Sequence, residues 1–383
     1  MLLAVLVLGG CVGGGAAARG WAGVSEVQGT LVFVSMAGRV YSVDPDTAAV
    51  RGTPIPLTQP VSGGLLSCGG SSSAPIAIYS NPVADGDLVF IGGNDGKVYA
   101  FRLIEGALRE QPRWIYPPQG NVSAPVVGGL AVANNNVYFA AANGTVYALD
   151  AADGFMRWSH ETGGKTWSAP TIAGDILYLT SFERKVYALD AATGAPKWVY
   201  ETEGALSAPA VVADGMVYVG GYDRHIYALD ADTGQPVWKF PVAGTAVTPS
   251  NWFWAKPVIH NGKLYAPNLD GKVYALDART GALVQTYDLG KNNAIAAAPV
   301  VVGDKIIVAA TNLASKKSSA IFAIDTATGS HRQLGTGLTE GIVAPLFASG
   351  NTVYIHTTGD KFFGLNVENG ALQPFVLTAT PTK

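Results

Sequence analysis

The chain has 383 residues, a formal net charge of −3, 48% hydrophobic residues and only 14% charged ones. A near-neutral balance with no basic run excludes a nucleic-acid role, which needs clustered Lys and Arg. Gly at 47 and Pro at 22 cut the chain with turns, the composition of many short strands.

The chain opens MLLAVLVLGGCVGGG. Residues 2–8 are an apolar run too short to span a bilayer and typical of a signal-peptide core. Leu8-Gly9-Gly10-Cys11 resembles the bacterial lipobox, whose Cys becomes the lipidated first residue of the mature protein. The segment departs from that pattern in having no Lys or Arg before the apolar run. The expected layout is a signal peptide over 1–10, a lipidated flexible tether over 11–20 and a folded body over 21–383. Such a protein is extracytoplasmic, lipid-anchored to a membrane of the cell envelope. Cys68, in a Gly/Ser stretch, is the other cysteine. With Cys11 acylated no disulfide framework exists, and a Cys11–Cys68 disulfide is the alternative.

From Trp21 the chain repeats. Val146–Trp158 reads VYALDAADGFMRW, Val186–Trp198 reads VYALDAATGAPKW, Ile226–Trp238 reads IYALDADTGQPVW and Val273–Gly281 reads VYALDARTG. Weaker copies begin at Val40, Val98, Ile321 and Phe362, which makes eight. Each copy is a strand, an Asp-to-Gly turn and a second strand. Before it come a run such as Ser207–Val212, a turn at Asp214-Gly215 and a strand at Met216–Gly220. The aromatic of the YALD position recurs at gaps of 58, 48, 40, 40, 47, 48 and 41 residues. Four strands per such period is a propeller blade. The expected fold is all-β, an eight-bladed β-propeller of four-stranded antiparallel blades. The long first gap holds Thr53–Ser73, expected as a surface loop. A Pro is expected at the first strand of blades 2 to 8, at Pro75, Pro125, Pro170, Pro209, Pro257, Pro299 and Pro345, since Pro suits a strand start or an edge. Trp114, Trp158, Trp198 and Trp238 mark the fourth strands, with Gln285 and Gln333 in their place in blades 6 and 7. These Trp rings are expected between neighbouring blades.

The Tyr-Ala-Leu-Asp, the Thr-Gly and the Trp four residues after the Gly resemble the PQQ-type propeller repeat, over essentially all of 21–381. The repeat is shared by quinoprotein dehydrogenases and by non-catalytic propellers. In length, blade number and lipobox the chain looks like the lipid-anchored propellers of outer-membrane β-barrel assembly. The resemblance therefore implies a monomeric, non-catalytic scaffold that binds membrane-associated protein partners and needs no cofactor. The quinoprotein alternative implies PQQ under a disulfide of adjacent cysteines beside a calcium. This chain has no Cys-Cys pair, and its acidic candidates Asp44 and Asp46 read as turn residues. A glycan- or cell-wall-binding propeller is the third reading. His160, His225, His260, His331 and His356 lie in different blades with no Ser or Cys partner at a nucleophile spacing, so no catalytic or metal site is expected. One aromatic group stands apart. Trp21, Trp167 and Trp254 each sit three positions before a first-strand Pro or its equivalent, and Trp252 and Phe253 join Trp254 in NWFW. These five are the candidate partner-binding residues, expected on one face near the channel mouth. The alternative reading has them cap the blade cores.

Overall fold

The computed structural model describes residues 20–60, 73–122, 124–242, 247–314, 318–335 and 337–377. The signal and tether segments, Cys11 and Cys68 lie outside the described residues.

Eight antiparallel sheets follow one another along the chain, spanning 24–56, 83–116, 130–161, 171–201, 211–240, 258–288, 293–334 and 347–375. Blade 4 shows why the repeat folds this way. Its strands are Thr171–Ala173, Ile176–Thr180, Lys185–Asp190 and Pro196–Glu201. The second and third are almost wholly buried, because each lies between two strands of its own sheet and between two neighbouring blades. That is why YALD is apolar on both faces rather than alternating. The Asp190 carboxylate accepts the backbone N–H groups of Ala192 and Thr193 and the Thr193 hydroxyl, which closes the turn. Gly194 ends it at φ 73°.

The fourth-strand Trp joins each blade to the next. Trp114, Trp158, Trp198 and Trp238 donate Nε1–H to Ala151, Ala191, Ala231 and Ala278 of the following blade at 2.9–3.0 Å. Each ring lies on the turn glycine of that blade, so close that a Cβ on Gly194 would sit 2.5 Å from the Trp158 ring. Gln285 takes the same place in blade 6, donating to Gly329 O at 2.7 Å. In blade 7 the register corrects the sequence expectation. Ala323, the YALD alanine, faces Arg332 rather than Gln333, and the Arg332 guanidinium donates to Val367 O and Glu368 O of blade 8. Arg51 stands at this position in blade 1, against Gly106.

Two other expectations are corrected. The first strand of blade 2 is Val83–Asp85, so Pro82 precedes it and not Pro75. Ser73–Pro75 instead pairs with Thr58–Pro60 in a two-stranded sheet. The Thr53–Ser73 segment is thus partly strand, since Thr53 to Pro56 complete blade 1, and its residues 61–72 lie outside the described residues. First strands are also shorter than the apolar runs suggest: in blade 5 only Val211–Ala213 is strand. Pro209 and Pro345 come two residues ahead of theirs and Pro125 five, because the approach to each strand bonds to the neighbouring turn instead of to the ladder.

The first strands lie innermost and touch in succession from blade 2 to blade 8 and from blade 8 to blade 1, while across blades 1 and 2 the Ser25 hydroxyl donates to Pro82 O. Val24, Leu31, Phe33, Tyr354, Phe362 and Phe375 fill that last seam. His356, 3% exposed, crosses it, with Nδ1 2.5 Å from Ala22 O and Nε2 3.0 Å from Asp360 Oδ1, which also accepts Met36 N–H. Among the described residues the ring closes by side-chain packing, with no strand shared between blades 8 and 1.

Candidate binding face at the channel mouth

In a blade of four antiparallel strands, the turn between strands two and three and the connection to the next blade fall on one face. The other two turns fall on the opposite face. Trp21, Trp167 and Trp254 all lie on such connections, and the strand register makes them equivalent. Each is four residues before the first-strand residue that pairs with Val32, Tyr178 or Tyr265 of the second strand. The same step gives Tyr79, Val127, Ser207, Ala296 and Val343 in the other blades. All eight are partly exposed. They form one layer around the axis, aromatic in four blades out of eight.

The aromatics fall into two groups. Trp21 meets Tyr79 edge-on at 4.5 Å, across the blade 1–2 boundary. Trp167 meets Phe182 at 5.0 Å, Phe182 meets Tyr222 at 6.3 Å, and Tyr222 stacks on Trp252 at 4.6 Å with the planes 3° apart. Trp254 lies 5.8 Å from Tyr222. This continuous ladder crosses blades 4, 5 and 6. Its outer rung, Trp252, is 39% exposed. Phe253 does not belong to the face. It is 1% exposed, packed against Tyr274 within the blade 5–6 core, because alternate residues of NWFW point to opposite sides. So the core-capping alternative holds for Phe253.

Sequence reasoning missed Phe182, Tyr222 and Tyr79. Phe182 and Tyr222 are second residues of strand-two-to-three turns, and their N–H groups bond Lys165 O and Ala205 O on the adjoining connection. The equivalent turn residues elsewhere include Asn94, Ala142, Leu269 and Thr358. A large aromatic at that position in two successive blades was the available signal. Tyr222 Oη and Ser207 Oγ are both buried; burial pushes the Tyr222 hydroxyl up to about 12, against a side-chain hydrogen bond with Ser207 that lowers it.

Two residues further in, the equivalent positions are Gly23, Asn81, Gly129, Ala169, Pro209, Lys256, Ala298 and Pro345. Lys256 alone carries a long charged side chain into that layer. Burial lowers its pKa from 10.5, and no described residue pairs with it.

One group of metal-ligating side chains also lies on this face. Glu203, Asp223 and His225 bring their ligand atoms within 4.8 Å of one another. Two of the three are engaged: Lys239 Nζ is 2.6 Å from Glu203, and Tyr227 Oη donates to Asp223 at 2.5 Å, whereas His225 Nδ1 is buried without a hydrogen-bond partner. Burial and the Lys239 charge lower the His225 pKa below 6.5. Asp44 behaves as the turn residue expected of it. Its carboxylate accepts the N–H groups of Asp46 and Thr47 and pairs with Arg51, which holds its pKa far below the usual range, the Thr47 N–H first among the causes.

The family model described as outer membrane protein assembly factor BamB matches residues 111–207 and 142–373. The chain belongs to this family. Among solved structures, BamB from Moraxella catarrhalis is 23% identical with a TM-score of 0.53, the match covering 63% of this chain and 70% of that one. The computationally designed Ika8 protein is 17% identical with a TM-score of 0.64, covering 96% and 98%. Quinohemoprotein alcohol dehydrogenase ADHIIG from Pseudomonas putida HK5 is 16% identical with a TM-score of 0.56, covering 76% and 66%. At these identities the structures bear on the fold, and they include both BamB and an enzyme. No curated protein matches the chain.

Proposed function

We propose that this protein is a non-catalytic scaffold of the cell envelope, lipid-anchored through Cys11, that holds membrane-associated protein partners in outer-membrane protein assembly. Family membership supports the role, and the Leu8–Cys11 lipobox supports the anchor. The observation that carries the binding reading is the aromatic ladder Trp167–Phe182–Tyr222–Trp252, which ends in a partly exposed Trp on a connection between blades. An exposed aromatic backed by other rings is a usual interface anchor, and a few such residues carry most of the energy. In the Glu203–Asp223–His225 group of this face, Lys239 holds Glu203 and Tyr227 holds Asp223.

The test is Trp252→Ala, assayed by capture of partners from detergent-solubilised envelopes and then by titration of the captured partner. Because Trp252 is 39% exposed, the variant should keep its melting temperature. Loss of an anchor of about 2 kcal/mol weakens binding roughly thirtyfold. A folded variant that binds as wild type removes this face from consideration. Phe253→Ala is unsuitable as a probe, since it empties a buried site.

A further inference from the structure

The proposed docking face has a charge inside it. Lys256 occupies a layer of the channel where every other blade places Gly, Ala, Pro or Asn. Directly outside that layer stand Trp254 and Trp167 at equivalent register positions. Partial exposure alternates with burial along Trp254, Ala255, Lys256, Pro257 and Val258, so Trp254 and Lys256 face the same way. An ammonium that is only partly exposed, in a layer of small and apolar side chains, is favoured by an opposite charge. Among the described residues no carboxylate supplies one. The channel mouth thus offers a cation and a wall of rings, arranged with the charge innermost.

We propose that a partner is recognised here through a carboxylate: an acidic side chain of the partner enters the channel mouth and meets Lys256, while its apolar neighbour lies on Trp254 and Trp167. The inference rests on the docking reading and names the chemistry of the partner segment. A charge-assisted pair in a partly desolvated site is stronger than one at a rim, and the aromatic wall excludes water from it. The opposite ligand, a basic segment, would place two cations together.

The probe is 2-naphthoate, a carboxylate on a flat apolar ring, with 2-naphthylmethanol and inorganic phosphate as controls for ring and charge. Titration of the intact propeller, followed by calorimetry and Trp fluorescence, should show one naphthoate per chain and much weaker binding of either control. Lys256→Met should weaken naphthoate by about tenfold or more. Its fold is checked by an unchanged melt. In wild type, affinity should fall as pH rises through a Lys256 pKa lying below 10.5, and Lys256→Arg should abolish that fall because Arg stays charged. No naphthoate binding at millimolar concentration, or equal binding by Lys256→Met, overturns the inference, as does phosphate binding as tightly as naphthoate. Partner titration separates the two readings. If Trp252→Ala keeps the partner, the docking face itself is wrong. If Trp252→Ala loses the partner and Lys256→Met keeps it, the face stands and the carboxylate does not.

Discussion

Trp158→Ala should be among the more damaging single changes in this propeller, and the structure says how much worse than its relatives. The Trp158 ring is 9% exposed and lies on Gly194 of the next blade. Truncating a buried aromatic costs about 3–5 kcal/mol. Trp158 Nε1 is also the side-chain donor to Ala191 O, so its removal leaves that carbonyl unpaired at about 1 kcal/mol more. Trp198→Ala should cost less, near the lower limit of about 3 kcal/mol. Its acceptor, Ala231 O, keeps a second donor, Tyr178 Oη at 3.0 Å. Gln285→Ala removes one hydrogen bond and little apolar area, about 1 kcal/mol. Urea unfolding midpoints at unchanged slope give the three values. A coupled pair sharpens the test. Gly194→Ala puts a Cβ 2.5 Å from the Trp158 ring at φ 73°. In a Trp158→Ala background only the backbone strain remains, so Gly194→Ala should cost less there by more than about 0.5 kcal/mol. Equal midpoints for the three single variants, or additive behaviour of the pair, would refute inter-blade Trp packing as the source of stability.

Two further outcomes are expected. Cys11→Ser should move the protein from the membrane to the soluble fraction, because anchoring needs acyl chains whose CH₂ groups each contribute about 0.8 kcal/mol; retention after a high-salt wash would end the lipobox reading. The Thr233 hydroxyl and N–H hold the Asp230 carboxyl below its ordinary 3.8, so its stabilising effect is present above that pH and is lost as pH falls through the lowered value. The melting temperatures of wild type and Asp230→Asn should therefore converge on acidification below about pH 4, and a gap constant with pH would assign the effect to something other than the ionised carboxylate.

The fold was legible because one local solution is written eight times. Asp and Gly in DAATG each have a turn role that sequence shows directly, and the YALD strand is apolar on both sides because it is covered on both. The gaps of 40 to 58 residues then counted the blades. What sequence could not supply was register. Gln333 looked like the substitute for Trp, yet pairing gives that place to Arg332, one residue earlier. Pro75 looked like a first-strand Pro, yet it pairs with Thr58 in the insertion. Both errors come from aligning by residue type in blades where the repeat is weak.

The binding face was half legible for a related reason. Trp21, Trp167 and Trp254 stood out because they depart from a repeat, and register places them in one layer. Their neighbours Phe182 and Tyr222 escaped notice because turns tolerate many residues, so an aromatic there carries little signal by itself. NWFW misled in the other direction. Three successive aromatics read as one exposed patch, but an extended chain sends alternate residues to opposite sides, and Phe253 went to the core. The distinction has a physical basis. Positions that touch a neighbouring blade must repeat, since each interface is built like the next. Positions that face the axis touch no equivalent partner and are free to differ from blade to blade. A single Lys among Gly, Ala, Pro and Asn, and aromatics in four blades of eight, are departures that blade packing does not require. In a closed repeat ring, departures in the layer that packing leaves free are where a ligand-specific requirement shows.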